Sequence, residues 1–326
     1  MTNKSAPHIR AGRTTLGVMG DAVAALGFLY AMAIYYHGPR AAVLGLLGVA
    51  VACICDGACA LIRSSRPNIR DFSPVVTGLI LPLMMPASIS YSIVAVACVF
   101  AIVVAKAPFG GVGHNVFNPA AAGFSFVAFV FGEALFTYPP PDMILPVWGE
   151  ITFSAPPSPA FIMMLGGQPG HGVLDMLLGN YPGPMGATNI LILTACLLYL
   201  VLRGTVNPLL PVSFFGSVAV VAYFFPRGVA TGTASVGLEL ATGMVLFGGI
   251  FLLTDPVTTP GRRLAKILYG VIAGVVVMLF RHHGNMEEQI TYAILLMNTM
   301  VYTLDLTTEH LAQKLRRYRR ARLGLG

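Results

Sequence analysis

Apolar runs without a charged side chain recur along the chain: Val94 to Ala105, Phe124 to Phe131, Ile190 to Leu202 and Tyr269 to Phe280. A charge near the centre of a membrane helix costs about 2.5 to 3.5 kcal/mol, so runs of this kind mark segments that cross lipid. The pattern predicts about ten transmembrane helices. The first five lie near residues 15 to 36, 41 to 62, 73 to 87, 89 to 107 and 117 to 138. The second five lie near 189 to 203, 207 to 226, 236 to 253, 264 to 281 and 287 to 305. The third is short and carries Gly78, Pro82 and Pro86, which predicts a broken or re-entrant element whose freed backbone groups are satisfied by neighbouring protein.

Composition agrees. Of the 326 residues 56% are hydrophobic and only 10% charged, against roughly 25% in soluble domains. A net charge of +7 would suit nucleic acid, but the basic residues are distributed as a topology signal instead. With the N-terminus in the cytoplasm, the inner segments hold all of the 20 Lys and Arg except Arg40, Arg227 and Arg281. This positive-inside bias calls for an even number of spans with both termini cytoplasmic. No removable signal peptide is expected. The connection from about 139 to 188 has Asp142, Glu150 and Asp175 but no Lys or Arg, and belongs outside. Cys53, Cys55 and Cys59 fall within seven residues, yet a fourth ligand is missing and helix packing is the expected role.

The expected layout is a single all-α membrane domain over 1–326. It has a first repeat at about 14–138, an outer loop at about 139–188, a second repeat at about 189–305 and a basic cytoplasmic tail at 306–326. Val76-Thr77-Gly78-Leu79-Ile80-Leu81 resembles Ala241-Thr242-Gly243-Met244-Val245-Leu246. A five-span repeat must be inverted relative to its copy, an arrangement that places a site between the repeats.

The outer loop ends in Tyr181-Pro182-Gly183-Pro184-Met185-Gly186-Ala187-Thr188-Asn189 and leads into the sixth span. Pro and Gly delay the helix start, so Thr188 stands where backbone amides are unpaired and a helix dipole favours an anion. A phosphate on the Thr188 hydroxyl suits that position, with Gly186 and Ala187 leaving room for a bulky group; a plain helix cap is the other reading of Thr188.

Gly186-Ala187-Thr188 resembles the core of the Ser/Thr-Gly-Ala-Thr motif at which a flavin transferase joins FMN through a phosphoester to the last Thr. Three further stretches resemble the RnfD/NqrB family of membrane flavoproteins. They are Ser5 to Arg10 with Arg13-Thr14-Thr15, Phe109-Gly110-Gly111-Val112-Gly113-His114-Asn115-Val116-Phe117-Asn118-Pro119-Ala120, and Thr254-Asp255-Pro256-Val257-Thr258-Thr259-Pro260. Length favours the RnfD branch. The resemblance implies a flavin-carrying subunit of an ion-translocating Rnf-type redox complex that couples ferredoxin and NAD electron transfer to Na+ or H+ transport. It also implies covalent FMN at Thr188 on the outer face, and iron-sulfur and flavin subunits as partners. Met185 departs from the motif, standing where Ser or Thr is usual. In NqrB-like members, asparagines matching Asn115 and Asn118 help hold a non-covalent riboflavin; a Gly-rich turn with Asn118 as helix cap is the structural alternative.

Intramembrane carboxylates are functional by default, which makes Asp21, Asp56 and Glu239 the ion-coupling candidates. Glu133 and Asp305 lie near span ends, and Asp255 before Pro256 suits a turn cap. His282, His283 and the Glu287-Glu288 pair are expected in a solvated loop, and the Lys314 to Arg322 cluster on anionic lipid. The competing function class is a solute channel or transporter with inverted five-helix repeats, in which Thr188 only caps a helix.

Overall fold

The computed structural model describes residues 14–63, 71–111, 113–149 and 151–322, with side chains to 315. The Ser5 to Arg10 stretch, the basic residues Lys4, Arg13, Arg66 and Arg70, Val112, Glu150 and the side chains of the basic tail cluster from Arg316 onward lie outside them.

Among the described residues the protein is all helical. The principal helices are α1 (Thr15–His37), α2 (Pro39–Ile62), α3 (Ser73–Leu83), α4 (Tyr91–Val99), α5 (Pro119–Val130), α6 (Ile190–Leu202), α7 (Leu209–Phe224), α8 (Gly232–Ala241), α9 (Arg263–His283) and α10 (Ile290–Arg322). Each predicted span contains one of them. Length separates them: α1, α2, α9, α10 and the helix that α4 begins, which runs from Tyr91 to Phe109, are long and apolar enough to cross a membrane. Joining α8 to Val245–Leu252 across a 71° bend gives a sixth candidate. Helices α3, α5, α6 and α7 have 11, 12, 13 and 16 residues, short of the roughly 20 that a bilayer core needs.

The shortening has local causes. Pro82 lies inside α3 and Pro86 follows it, so the chain leaves the helix at Met84. Segment 84–87 is buried without being helical, as predicted for the third span, and its carbonyls are capped by protein. The Arg40 guanidinium donates to Ala87 O (2.9 Å) and Ile89 O (2.8 Å), and the Met185 amide donates to Met85 O (3.1 Å). At the end of α8, Gly243 takes φ +67, a left-handed conformation that costs glycine little, and the helix breaks there. The two similar hexapeptides therefore differ in form: Thr77 and Gly78 sit inside the straight part of α3, whereas Thr242 and Gly243 make the break after α8.

Helices meet through small residues. A side chain at Gly48 of α2 would run into the backbone of Gly78 of α3, and one at Gly270 or Gly274 of α9 into Ser213 or Ser217 of α7. A single apolar core runs from Ala25, Leu26 and Leu29 of α1 through Phe124 of α5 and Leu200 of α6 to Phe247, Tyr269 and Met297.

Candidate functional site

Residues 181–189 are buried throughout. The Tyr181 hydroxyl donates to Ala241 O (2.8 Å), the Gly186 amide to Leu83 O (2.8 Å) and the Ala187 amide to Pro184 O (3.0 Å). The loop is therefore tied to both helix breaks, at the end of α3 and the end of α8. The amides of Met185, Gly186 and Ala187 are spent on bonds to Met85 O, Leu83 O and Pro184 O. Gly186 is also not room for a ligand: a Cβ there would lie 2.6 Å from Leu83 Cβ, so the space is already filled.

Asn189, not Thr188, caps α6. Its Oδ1 accepts from the Ile192 amide at 2.9 Å, and its amide group donates to Leu178 O. Thr188 precedes the cap, 7% exposed, close to the amides of Ile190 and Leu191 that a first helical turn leaves open. Two glycines pack closely against it. A Cβ on Gly183 would come 2.8 Å from Thr188 Cγ2, and one on Gly179 would come 2.9 Å from the Thr188 carbonyl carbon. Further along, a largely apolar cavity of about 570 Å³ is lined by Gln168, His171, Met176, Ala241 and, from α6, Ile190 and Thr194; Thr188 itself does not line it. That volume is in the range that holds an aromatic cofactor. The place before the α6 start suits a phosphate on the Thr188 hydroxyl, and the packing around it would have to open to admit one.

The second predicted position divides. Asn118 is a helix cap: its Oδ1 accepts from the Ala121 amide (3.0 Å), its Nδ2 donates to Leu252 O (3.1 Å), and its own amide donates to Asn298 Oδ1 (2.9 Å). Asn115 carries a buried Oδ1 without a partner. Both line a pocket between the helix halves with Gly113, Thr77, Thr205 and Asp255. Its volume is about 80 Å³, enough for a few water molecules or the edge of a ring. Asp255 closes the local turn, accepting from the Val257 amide (3.2 Å) and the Thr258 hydroxyl (3.1 Å).

Each ion-coupling candidate has cationic company. Asp21 is buried and accepts from Thr205 (2.6 Å), Arg203 (3.0 Å) and Tyr199 (3.2 Å). Asp56 pairs with the buried Lys106 at 2.8 Å, which also reaches Asp71 at 3.3 Å. Glu239 sits between Arg227 (2.6 Å) and Arg281 (2.8 Å). Glu133 is exposed, and Asp305 accepts from the amides of Gly261 (3.0 Å) and Arg262 (3.2 Å). The solvated-loop expectation for Glu287 and Glu288 is wrong: they are 6% and 2% exposed, drawn in by Ser158 and by the Met244 amide. His282 is turned to carbonyls of Met278 and Phe225 and forms no cluster with them.

A family model described as the NQR2, RnfD, RnfE family matches residues 2–313. The chain belongs to this family. It is 27% identical over 322 residues to the D subunit of the proton-translocating ferredoxin:NAD(+) oxidoreductase complex of Clostridium ljungdahlii, covering 94% of each chain. With the D subunit of the Na(+)-translocating ferredoxin:NAD(+) oxidoreductase complex of Acetobacterium woodii it shares 27% over 313 residues, 95% of this chain and 94% of the relative. The D subunit of the ion-translocating oxidoreductase complex of Vibrio cholerae is 28% identical over 350 residues, with 94% and 97% covered.

In this member of the NQR2, RnfD, RnfE family, sequence reasoning missed the two arginines that organise the loop ends. Arg40 is buried and lies over the Tyr91 ring at 4.6 Å while bonding four backbone carbonyls, those of Ala87, Ile89, Pro146 and Val147. Arg281 donates to Glu239 O (2.8 Å) and Thr242 O (3.1 Å) across the α8 break. In the sequence both count only as outer-segment charges. The signal that could have found them is their scarcity: only three basic residues in the segments expected outside invite the question of what each one holds.

Proposed function

We propose that the chain is the RnfD-type subunit of an ion-translocating oxidoreductase, a membrane component that carries covalent FMN at Thr188. Its relatives are the D subunits of such complexes, and this role replaces the solute-transporter reading. The Gly186-Ala187-Thr188 motif, which sets a threonine directly before the helix start at Asn189, supports the flavin. FMN bound there would supply one- and two-electron chemistry. The protein's own part is to hold it: Asn189 fixes the start of α6, and the Leu83 and Ala241 carbonyls anchor the loop. Gln168, His171 and Thr194 are polar side chains of the nearby cavity that could orient a ring.

The full topology belongs to the same proposal: about ten spans in two inverted repeats, both termini cytoplasmic, and Thr188 on the outer side of a bacterial or archaeal cytoplasmic membrane. Helices α3, α5, α6 and α7 would complete their crossings with buried irregular segments, as 84–87 does. Partners are the other complex subunits, which supply iron-sulfur and nicotinamide chemistry, and a flavin transferase that needs the loop accessible before it packs. A second, non-covalent riboflavin would use the orphan Asn115 oxygen, and the 80 Å³ pocket must widen to admit it.

The test is flavin fluorescence retained on the denatured chain. Protein made together with its transferase should fluoresce and Thr188→Ala protein should not; a dark wild-type chain rejects the reading.

A further inference from the structure

A buried charge cluster joins the α8 break to the turn between α9 and α10. Glu239 receives Arg227 Nε (2.6 Å) and Nη2 (3.1 Å) and Arg281 Nη1 (2.8 Å), so one carboxylate is shared by two guanidinium groups. Glu287 and Glu288 follow on the turn. Ser158 Oγ donates to Glu287 and accepts from the Phe161 amide at 3.0 Å, while Glu288 Oε2 accepts from the Met244 amide at 3.0 Å. Glu288 Oε1 is buried without a partner, pressed against Gly243, where an added Cβ would collide with it.

The charges do not balance. Arg227 and Arg281 bring two positive charges; Glu239, Glu287 and Glu288 bring three negative ones, all out of water. A buried uncompensated carboxylate is expensive enough that it neutralises instead, and two carboxylates in one place cannot both ionise. A monovalent cation is missing from the arithmetic. A metal ion needs several oxygens converging on one point, but Ser158 serves Glu287 and a backbone amide serves Glu288, so the two carboxylates are held from different sides. A proton needs one oxygen and one acceptor.

We infer that Glu287 and Glu288, held by Ser158 and the Met244 amide, form a binding site for a single exchangeable proton. Other ionisable groups face the site from every side: Arg281 and His282 from α9, Arg227 from the segment after α7, Glu239 from α8, and Tyr138 and Tyr181 from the loops. Burial, then the charge of Glu288, pushes Glu287 up to about 8, so the proton is held at neutral pH and released just above it. As the two carboxyls are coupled, the titration belongs to the pair. Exposed Asn285, two residues away on the same turn, gives the route to water. Which face of the membrane that is rests on the topology proposed above; the existence of the proton does not.

The test is an infrared pH titration of the full chain in lipid nanodiscs. The wild type, and equally Thr188→Ala protein without flavin, should show a protonated-carboxyl band that disappears with a midpoint near 8. Glu287→Gln should remove the band. Glu288→Gln should lower the midpoint by on the order of one unit, a tenfold loss of proton affinity, because the like charge is gone. Absence of a titrating band in the wild type, or a band unchanged in both variants, overturns the site. A midpoint that falls in step with added Na+ also overturns it, since a metal ion would then be the ligand.

Discussion

Arg40→Met removes the guanidinium while keeping most of the side-chain volume. Three carbonyls lose their donor: Ala87 O and Ile89 O, bonded at 2.9 and 2.8 Å, and Pro146 O at 3.2 Å; Val147 O, also at 3.2 Å from the guanidinium, keeps the Tyr91 hydroxyl at 2.7 Å. Hydrogen bonds to a charged group contribute about 1.5 to 3 kcal/mol each. The two short bonds to buried acceptors count fully, the two longer ones less, and the relief of desolvating the arginine works in the opposite direction. A net loss of about 3 to 5 kcal/mol is the expected result, the size found when one side of a buried charged contact is removed. Equilibrium unfolding in mixed micelles, with tryptophan fluorescence as the probe, reads it directly, because Trp148 is the single tryptophan and packs on Tyr91. The consequence reaches the flavin loop, since 84–87 supplies the carbonyl that anchors Met185. Flavin occupancy should therefore fall with stability. A loss below about 1 kcal/mol, or an Arg40→Lys variant as stable as wild type, would refute the idea that the fork of donors holds this non-helical segment in place.

Three further variants probe the site and its surroundings. Gly186→Ala drives a Cβ into Leu83 and should cost about 1 to 3 kcal/mol by overpacking while reducing flavin attachment; full attachment at unchanged stability would mean that the loop does not sit on α3. Asp21→Asn weakens the bond to the solvent-exposed Arg203 and should lower unfolding stability only slightly; ion transport retained in reconstituted complex would make Asp21 a structural partner, and transport lost at full stability would restore it as a coupling group. Stability should also depend on pH through Glu287. Its folded value, about 8, lies above the ordinary 4.5, so its contribution is complete below about pH 4.5 and is lost as pH rises through about 8. Glu287→Gln should flatten that slope, and an unchanged slope assigns it elsewhere.

The helical class and the place of every long helix are legible in the sequence, because a lipid-crossing helix must advertise itself as an uncharged run. The broken third element is legible too, since Pro82 and Pro86 cannot continue a helix. What the runs do not convey is length. Apolar character persists through buried non-helical segments such as 84–87, so α3 and α5 look longer in sequence than they are. The site is legible as a motif and misleading in its details. Gly186 is small because Leu83 lies against it, and Asn118 is a cap because its three polar contacts all go to the chain itself. Glu287 and Glu288 are not legible at all. Adjacent acids between His283 and a helix start suggest solvent, and only the fold reveals the serine 129 positions earlier and the arginines that bury them.

The most direct measurement is an intact mass of the purified chain, followed by sequencing of the flavin-bearing peptide. One added FMN, less one water, on the peptide containing Thr188 is the expected result, together with its loss in Thr188→Ala. An unmodified chain from cells that contain the transferase, or a flavin found on another residue, would contradict the account.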